Sequence, residues 1–352
     1  MQLETVGDYI IQKPLGHGAF GEVYLAEHRF IKRPFALKVL PEEISSDPGF
    51  MRRFEAKVAE IAALDHPHIA KIHNVSHQDG RFFIVMDPIV DNLGETMNLD
   101  RYLQLKGRAL SEEDCEELLR QVAAALDYAH EMGIVHGSLK LTNILVAPAE
   151  PGVRLILSDF GLNRMIGEGI SFLRICEQAS KALIPHLQSN SEKILQTSRN
   201  FIRNFSFLAP EQKILDGESV EPKSDAYSFG VLTYYVLTRK IPEGCFDLPS
   251  KSVPDAKKNW DLLINRCLQF NPSVRPQILI QAMNEYLLAP RTVSKELLSL
   301  SDVEGKLDSI LQMSFEFPRG VPQPESAAQE GPLKPIIKPQ EIARPEYEPD
   351  PA

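Results

Sequence analysis

The sequence predicts an α+β protein in two unequal parts: a small β-rich N-terminal part with one helix, and a larger helical part. Two observations support this division. Apolar and polar residues alternate from Tyr9 to Leu40 around a glycine cluster, whereas from about residue 99 the apolar positions follow helical spacing. The 352 residues are enough to bury two separate cores.

The N-terminal part contains signals for five strands and one helix. Tyr9–Leu40 is typical of three strands joined by tight turns. Apolar residues at helical spacing predict a helix over residues 48–64. Two further strands are predicted at Ala70–Val75 and Phe82–Met86, and Pro88 ends the second because proline cannot donate to a sheet.

The C-terminal part is predicted to be mainly helical, with two short strands between its helices. The predicted elements are a helix with the apolar face Leu118, Val122, Ala125 and Ala129, strands at Ile144–Val146 and Leu155–Leu157, a strongly apolar helix from Ser224 to Leu237, and further helices over residues 257–289.

The last sixty residues divide into two segments. Apolar residues at helical spacing predict an amphipathic helical extension over residues 290–317. In residues 318–352, nine of 35 residues are proline and few are large and apolar, so we expect a disordered tail. Pro332-Leu333-Lys334-Pro335 within it fits a P-x-x-P docking motif, although such short matches are common.

Net charge and cysteine spacing indicate which cellular compartment and which classes of binding partner are expected. A net charge of −10 disfavours binding to nucleic acid or anionic membranes, because both are polyanions. The four cysteines are widely spaced without a CxxC pair, which argues against a zinc site or a disulfide framework. We find no signal peptide and no apolar run of membrane-spanning length, so the sequence predicts a cytoplasmic protein and leaves export into a host cell open.

Two motifs in the N-terminal part indicate phosphate binding. Gly16, Gly18 and Gly21 form G-x-G-x-x-G, in which backbone amides can approach a phosphate closely. A strand follows the glycines, whereas a dinucleotide-binding motif needs a helix there. Lys38 lies in an apolar strand 17 residues further on. Taken alone it is an edge lysine with its amine in solvent, but the glycines upstream favour contact with phosphates.

The motifs continue in a fixed order along the chain. They are His136-Gly137-Ser138 through Asn143, then Ser158-Asp159-Phe160-Gly161, Ala209-Pro210-Glu211, and Ser224-Asp225 through Gly230. With the glycines and Lys38, this series resembles the eukaryotic-type (Hanks-type) serine/threonine protein kinase family, in particular its bacterial branch. The resemblance implies a two-lobed kinase domain over residues 9–289, with an N-lobe at 9–90, a C-lobe at 91–289 and a long activation segment at 159–211.

The resemblance also implies binding of ATP and Mg²⁺. The residues it assigns to the phosphates and the metal are Gly16, Gly18 and Gly21 over the phosphates, Lys38 on the α- and β-phosphates, Lys140 near the γ-phosphate, and Asn143 with Asp159 on magnesium. Those it assigns to adenine are Val23, Ala36 and Leu145 on the ring faces, Met86 as gatekeeper, and the backbones of Asp87 and Ile89. It further implies a buried Glu211–Arg275 ion pair, and an Asp225 that anchors the catalytic loop.

The sequence departs from the family pattern at the catalytic loop and in the first helix. The family has His-Arg-Asp where this chain has His136-Gly137-Ser138, so the base position holds a serine and the arginine that grips a phosphorylated activation loop is missing. Losing a positioned base typically costs about 10²- to 10⁴-fold in rate. Lys57 stands where the helix glutamate that pairs with Lys38 is expected, and Glu60 is its nearest substitute. Alternatively, Lys57 turns to solvent and Lys38 pairs with Asp159 alone.

These departures favour a pseudokinase that binds ATP and Mg²⁺ and acts as a regulator or scaffold for an unidentified protein partner. The alternatives are a slow serine/threonine kinase that phosphorylates protein hydroxyls and a specialised transferase on the same fold. A purely structural domain is disfavoured, because folding alone does not require Asn143 and Asp159 together. The long activation segment is either an insertion that covers its own apolar residues or an element that docks a partner or occludes the cleft.

Overall fold

The N-terminal part is built on one antiparallel sheet of six strands. A computed structural model describes residues 4–18, 21–40, 52, 54, 58–78, 80–107, 110–160, 204–213 and 221–290. The strands are β1 Thr5–Val6, β2 Tyr9–Gly18, β3 Gly21–His28, β4 Pro34–Val39, β5 Ile72–Gln78 and β6 Arg81–Met86. They lie in the order β1-β2-β3-β4-β6-β5, so the two last strands exchange places relative to the chain.

The two faces of this sheet have different roles because side chains alternate along each strand. Phe35, Leu37 and Val39 of β4 are buried in a small apolar cluster that also contains Tyr9 and Phe83. Ala36 and Lys38 alternate with them and therefore lie on the opposite face. Residues 58–62 between β4 and β5 are helical, as the sequence predicts for this segment.

The C-terminal part is mainly helical, as predicted. Its helices are α1 Leu99–Lys106, α2 Glu112–Glu131, α3 Pro222–Thr238, α4 Pro249–Ser252, α5 Trp260–Cys267 and α6 Leu279–Leu288, and a two-stranded antiparallel sheet of β7 Ile144–Pro148 and β8 Val153–Leu157 lies between α2 and α3. Helix α2 begins with a capping box, in which Ser111 and Asp114 satisfy each other's backbone N–H groups.

One large apolar core connects the helices to the face of the six-stranded sheet on which Ala36 and Lys38 lie. Helix α2 contributes a buried face that includes Val122, Ala125 and Ala129, the positions that the sequence identified. Trp260 of α5 is also fully buried, and its indole N–H donates to Glu112 at 2.7 Å. The same core reaches Ile84 of β6, so it is continuous from the helices to the face that carries Lys38.

The α+β fold with a β-rich N-terminal part and a helical C-terminal part is confirmed. Most of the predicted activation segment, the helical extension at 290–317 and the proline-rich tail at 318–352 lie outside the described residues, as does Lys57. The domain boundaries derived from the sequence therefore stay a prediction.

Candidate functional site

Strand register brings the predicted adenine and phosphate residues onto one face of the sheet. Val23 of β3 lies opposite Lys38 of β4, and Ala36 lies opposite Met86 of β6. Ala36 is buried, while Val23 and Met86 are half-buried. Leu145 lies in β7, bridged to Asn98 just before α1. This face therefore offers small and apolar side chains beside one lysine, as an adenine ring followed by phosphates requires.

The glycine-rich turn joins β2 and β3 beside Lys38. Gly16 is opposite Val23, and Gly18 is opposite Gly21. Gly21 has a φ of +122°, and a Cβ atom placed on it would lie 1.9 Å from the backbone oxygen of Val39. No other residue fits at this position without moving β4, so Gly21 is required by the packing of the turn.

The segment after β6 presents one acceptor and one donor in a suitable order. The N–H of Asp87 donates to the carbonyl of Lys71 at 3.2 Å, which leaves its own carbonyl as the available group. Pro88 has no N–H to offer. The N–H of Ile89 makes no hydrogen bond to any other described residue. The pair of Asp87 C=O and Ile89 N–H matches the donor and acceptor edge of adenine. The Asp87 carboxylate itself contacts His73 Nε2 at 2.6 Å.

Lys38 and Asp159 form an ion pair at the inner end of this face. Their side chains are only 4% and 15% exposed, so the pair is largely removed from water. Burial alone raises the pKa of Asp159, but the charge and hydrogen bond of Lys38, with help from Lys140, outweigh it and hold the pKa below its usual range. Asp159 is therefore a carboxylate at neutral pH. Burial lowers the pKa of Lys140, against the opposing pull of Asp159.

The loop that carries Ser138 is anchored by Asp225 of α3. The carboxylate of Asp225 accepts the N–H groups of His136 and Gly137, each at 2.8 Å, and contacts His130 Nε2 at 2.8 Å. Gly137 has a φ of +71°, a conformation that glycine adopts readily. The Ser138 hydroxyl lies 3.4 Å from His136 Nδ1. Burial lowers the pKa of His136, so this imidazole is neutral.

Asn143 and Asp159 supply oxygen ligands suited to magnesium. Asn143 Nδ2 donates to the carbonyl of Ser138 at 3.0 Å, which leaves its Oδ1 available as a ligand. Magnesium prefers oxygen, and it often binds through one or two protein groups together with substrate phosphates. No group of three or more His, Cys, Asp or Glu residues in the described ranges could hold a metal alone. The residues thus fit magnesium that arrives with a nucleotide, and Asn143 and Asp159 would be its protein ligands.

The sequence profile of the protein kinase domain matches residues 9–287. This chain belongs to the protein kinase domain family. Serine/threonine-protein kinase Pkn1 of Chlamydia trachomatis is 34% identical over 281 residues, which cover 80% of this chain and 42% of that protein. PknF of Mycobacterium tuberculosis is 32% identical over 241 residues, which cover 68% of this chain and 44% of that protein. The chain therefore spans less than half the length of these two bacterial relatives.

A solved kinase structure shows the same fold. A crystal structure of the PknI kinase domain from Mycobacterium tuberculosis, in a double-mutant form, superposes with a TM-score of 0.59 at 25% identity. The superposition covers 82% of this chain and 100% of that domain. Together with the similarity to Pkn1 and PknF, this structure supports the assignment of the chain to the bacterial branch of the serine/threonine kinases, a family that binds ATP and Mg²⁺.

Two structural features that the kinase resemblance implies are present. Arg275 forms a bidentate ion pair with Glu211, with N···O distances of 2.6 and 2.9 Å, and the Arg275 side chain is 0% exposed. Asp225 anchors the catalytic loop as described above. The structure also adds a residue that the sequence reasoning missed. Gln212 donates from Nε2 to the carbonyl of Gly137 at 2.9 Å, although its place directly after Ala209-Pro210-Glu211 gave no sign of its target.

The expectation that Glu60 substitutes for the helix glutamate that pairs with Lys38 stays a prediction. Lys57 lies outside the described residues, and Glu60 is exposed on the helical segment 58–62. A cavity next to the Lys38–Asp159 pair is lined by apolar side chains of the core, including Ile61, Leu64 and Phe160.

Proposed function

We propose that this protein is a nucleotide-binding pseudokinase, which binds ATP with Mg²⁺ and acts as a signalling regulator or scaffold for a protein partner. The observation that carries the proposal is Ser138 at the position of the catalytic base. Among the described residues its hydroxyl has one hydrogen-bond partner, the neutral imidazole of His136, and serine itself supplies no carboxylate to accept a substrate proton. A positioned base typically contributes about 10²- to 10⁴-fold to the rate.

The remaining residues support nucleotide binding through separate contacts. The Asp87 carbonyl and the Ile89 N–H bind adenine, while Val23, Ala36 and Leu145 cover its faces. Gly16, Gly18 and Gly21 place backbone amides over the phosphates. Lys38 leaves Asp159 to hold the α- and β-phosphates, and Lys140 lies near the γ-phosphate. Asn143 and Asp159 hold the metal, which neutralises the charge of the phosphate oxygens.

A slow serine/threonine kinase is the second candidate. The observation that favours it is the retention of Lys38, Lys140, Asn143 and Asp159 around one site. The phosphoryl-transfer transition state is loose in most analyses, so positioning and metal charge supply most of the catalysis. Starting from turnover of ~1–100 s⁻¹, the loss of a base leaves between about one event per second and one event in about three hours.

The test combines nucleotide binding with phosphoryl transfer. Calorimetry would measure the affinity for ATP with Mg²⁺ in the wild type, in Lys38→Met, and in Lys251→Met as a matched control. Lys251 is an exposed lysine of α4 that pairs with Asp247, and it lies far along the chain from the site residues. We expect binding in the wild type and the control and a loss of at least tenfold in Lys38→Met. Equal affinity in all three would contradict the assigned site.

Transfer of the γ-phosphate would then separate the two candidates. The wild type, Lys38→Met and Ser138→Asp would be incubated with labelled ATP, Mg²⁺ and a generic protein substrate, at a sensitivity of about one turnover in three hours. A silent wild type that binds nucleotide supports the pseudokinase. Transfer by the wild type that Lys38→Met abolishes would establish the slow kinase. Activity gained in Ser138→Asp would show that only the base is missing.

We also propose a cytoplasmic location and a protein partner rather than nucleic acid. Cys115, Cys245 and Cys267 are free thiols, as is usual in a reducing compartment. The net charge of −10 disfavours polyanionic partners. Within the described ranges, no helix is long and apolar enough to cross a bilayer.

If the protein works as a nucleotide-dependent scaffold, Lys38→Met must weaken capture of its partner. Unchanged capture would show that partner binding does not depend on the nucleotide.

A further inference from the structure

The backbone of the catalytic loop is held from two sides. Asp225 accepts the N–H groups of His136 and Gly137 at 2.8 Å each, as kinases of this family require. On the other side, the Gly137 carbonyl accepts a hydrogen bond from Gln212 Nε2 at 2.9 Å. The next carbonyl, of Ser138, accepts from Asn143 Nδ2 at 3.0 Å. These four bonds therefore hold four consecutive peptide groups, from 135–136 to 138–139, one bond on each.

Gln212 is itself held in place, so it can serve as a fixed anchor. It lies in the short 3-10 helix Pro210–Lys213, whose Glu211 is locked to the buried Arg275. Its Oε1 accepts the N–H of Ala209 at 3.0 Å, while its Nε2 donates to Gly137. Because both ends of the amide are used, the side chain has one orientation that satisfies both partners.

Gly137 is the residue of this loop that most needs an external anchor. It replaces the arginine through which family members tie the loop to a phosphorylated activation segment. Without a side chain, and with a φ of +71°, it has the greatest backbone freedom in the loop. The bond from Gln212 fixes the orientation of the Gly137–Ser138 peptide, and through the Ser138 carbonyl it fixes the amide of Asn143.

We propose that Gln212 is a positioning residue that holds the catalytic loop in its metal-binding shape without phosphorylation. The proposal rests on the nucleotide-binding function proposed above. It assigns to one glutamine amide the task that an arginine and a phosphate share elsewhere in the family. The bond links the end of the activation segment to the metal ligand Asn143 through the adjacent carbonyls of Gly137 and Ser138, so the loop is set as soon as residues 204–213 are in place.

The test uses three variants of the full chain. Gln212→Met keeps the side-chain length and removes both hydrogen bonds. Gln212→Glu keeps the acceptor for the Ala209 N–H but places a second acceptor against the Gly137 carbonyl. Gln281→Met is the matched control, since Gln281 bonds only to Glu285 on the same helix α6 among the described residues. Hydrogen exchange of the peptide covering residues 134–140, followed by mass spectrometry, reports directly on the loop.

We expect exchange in this peptide to rise roughly five- to tenfold in Gln212→Met and Gln212→Glu, the value of one hydrogen bond, and to stay unchanged in Gln281→Met. We expect affinity for ATP with Mg²⁺ to fall by a similar factor, while affinity for ATP measured with EDTA stays the same. This split separates positioning of the metal ligand from a general loss of stability, which would lower both affinities together.

Three results would overturn the proposal. One is unchanged exchange at residues 134–140 in Gln212→Met. Another is wild-type behaviour of Gln212→Glu, because that variant retains only the Ala209 contact. Equal losses of affinity with and without Mg²⁺ would assign Gln212 a structural role and also overturn it. If the wild type binds no nucleotide, the proposed function fails instead, and the exchange measurements still decide the role of Gln212 in the loop.

Discussion

Replacing Arg275 tests how the helical lobe is braced beneath the site. Its guanidinium pairs with Glu211 at 2.6 and 2.9 Å and donates to the carbonyls of Gln269, Lys223 and Phe270 at 2.7 to 2.9 Å. The Arg275 side chain is 0% exposed and Glu211 is 12% exposed. Arg275→Met keeps much of the side-chain volume, but it leaves three carbonyls without the guanidinium and leaves the largely buried Glu211 carboxylate with the Ser224 hydroxyl, at 2.8 Å, as its remaining side-chain donor.

The expected loss is large because the partners stay buried. Removing one member of a buried ion pair typically costs about 3–5 kcal/mol. For a domain of this size, 1 kcal/mol shifts the melting temperature by about 2 °C, so Arg275→Met should melt about 6–10 °C lower. Arg275→Lys keeps the charge without the two-pronged geometry and should fall between Met and the wild type.

Thermal unfolding followed by circular dichroism would measure these shifts. The control is Lys251→Met, which removes an exposed pair with Asp247 at 3.2 Å and should shift the melting temperature by less than about 1 °C. A shift below about 2 °C in Arg275→Met would refute the reasoning, because it would show that water enters and solvates Glu211.

Three further predictions follow from single contacts. Gly21→Ala would place a Cβ 1.9 Å from the Val39 carbonyl, so we expect at least tenfold weaker nucleotide binding by calorimetry, and unchanged binding would contradict this packing. Burial raises the pKa of Asp225, but hydrogen bonds from His130 and Gly137 outweigh it and lower the pKa overall. The stability that this lower pKa gives is present above the unfolded pKa of about 3.9 and is lost as the pH falls through the lower folded pKa. The urea concentration at the unfolding midpoint should therefore decrease once the pH falls below about 4, and it should decrease less steeply in Asp225→Asn. Glu112→Ala removes the acceptor of the Trp260 indole N–H, so we expect water to replace the carboxylate and the emission of this single tryptophan to shift to longer wavelength, and an unchanged spectrum would contradict this.

Periodic patterns predicted most of the fold, and ordered motifs predicted the candidate site. In the structure, Lys38 of β4 lies on the face away from the apolar cluster of Leu37 and Val39, and it is buried although its isolated position in the sequence suggested an amine in solvent. The motif order identified Asp159, and the structure pairs it with Lys38 across 121 residues of chain. Such a pairing has no local signature, so it was predictable only through the resemblance to kinases.

Contacts from side chain to backbone were not predictable in this way. The bond from Gln212 to the Gly137 carbonyl crosses 75 residues and depends on the path of two loops. The use of the Asp87 N–H by Lys71 depends on how the segment after β6 lies against the segment before β5. Neither involves a periodic pattern or a charged motif, because a backbone carbonyl presents the same acceptor whatever its residue type.

The architecture of the catalytic loop explains how a base can be lost without loss of the site. Asp225 holds the N–H groups of His136 and Gly137, and the carbonyls of Gly137 and Ser138 are held by Gln212 and Asn143. None of these four bonds uses the side chain of Ser138. Replacing an aspartate by serine there removes the proton acceptor but leaves the backbone that orients Asn143. Metal and nucleotide binding can therefore outlast catalysis, and Ser138→Asp restores a base within a loop that already has its shape.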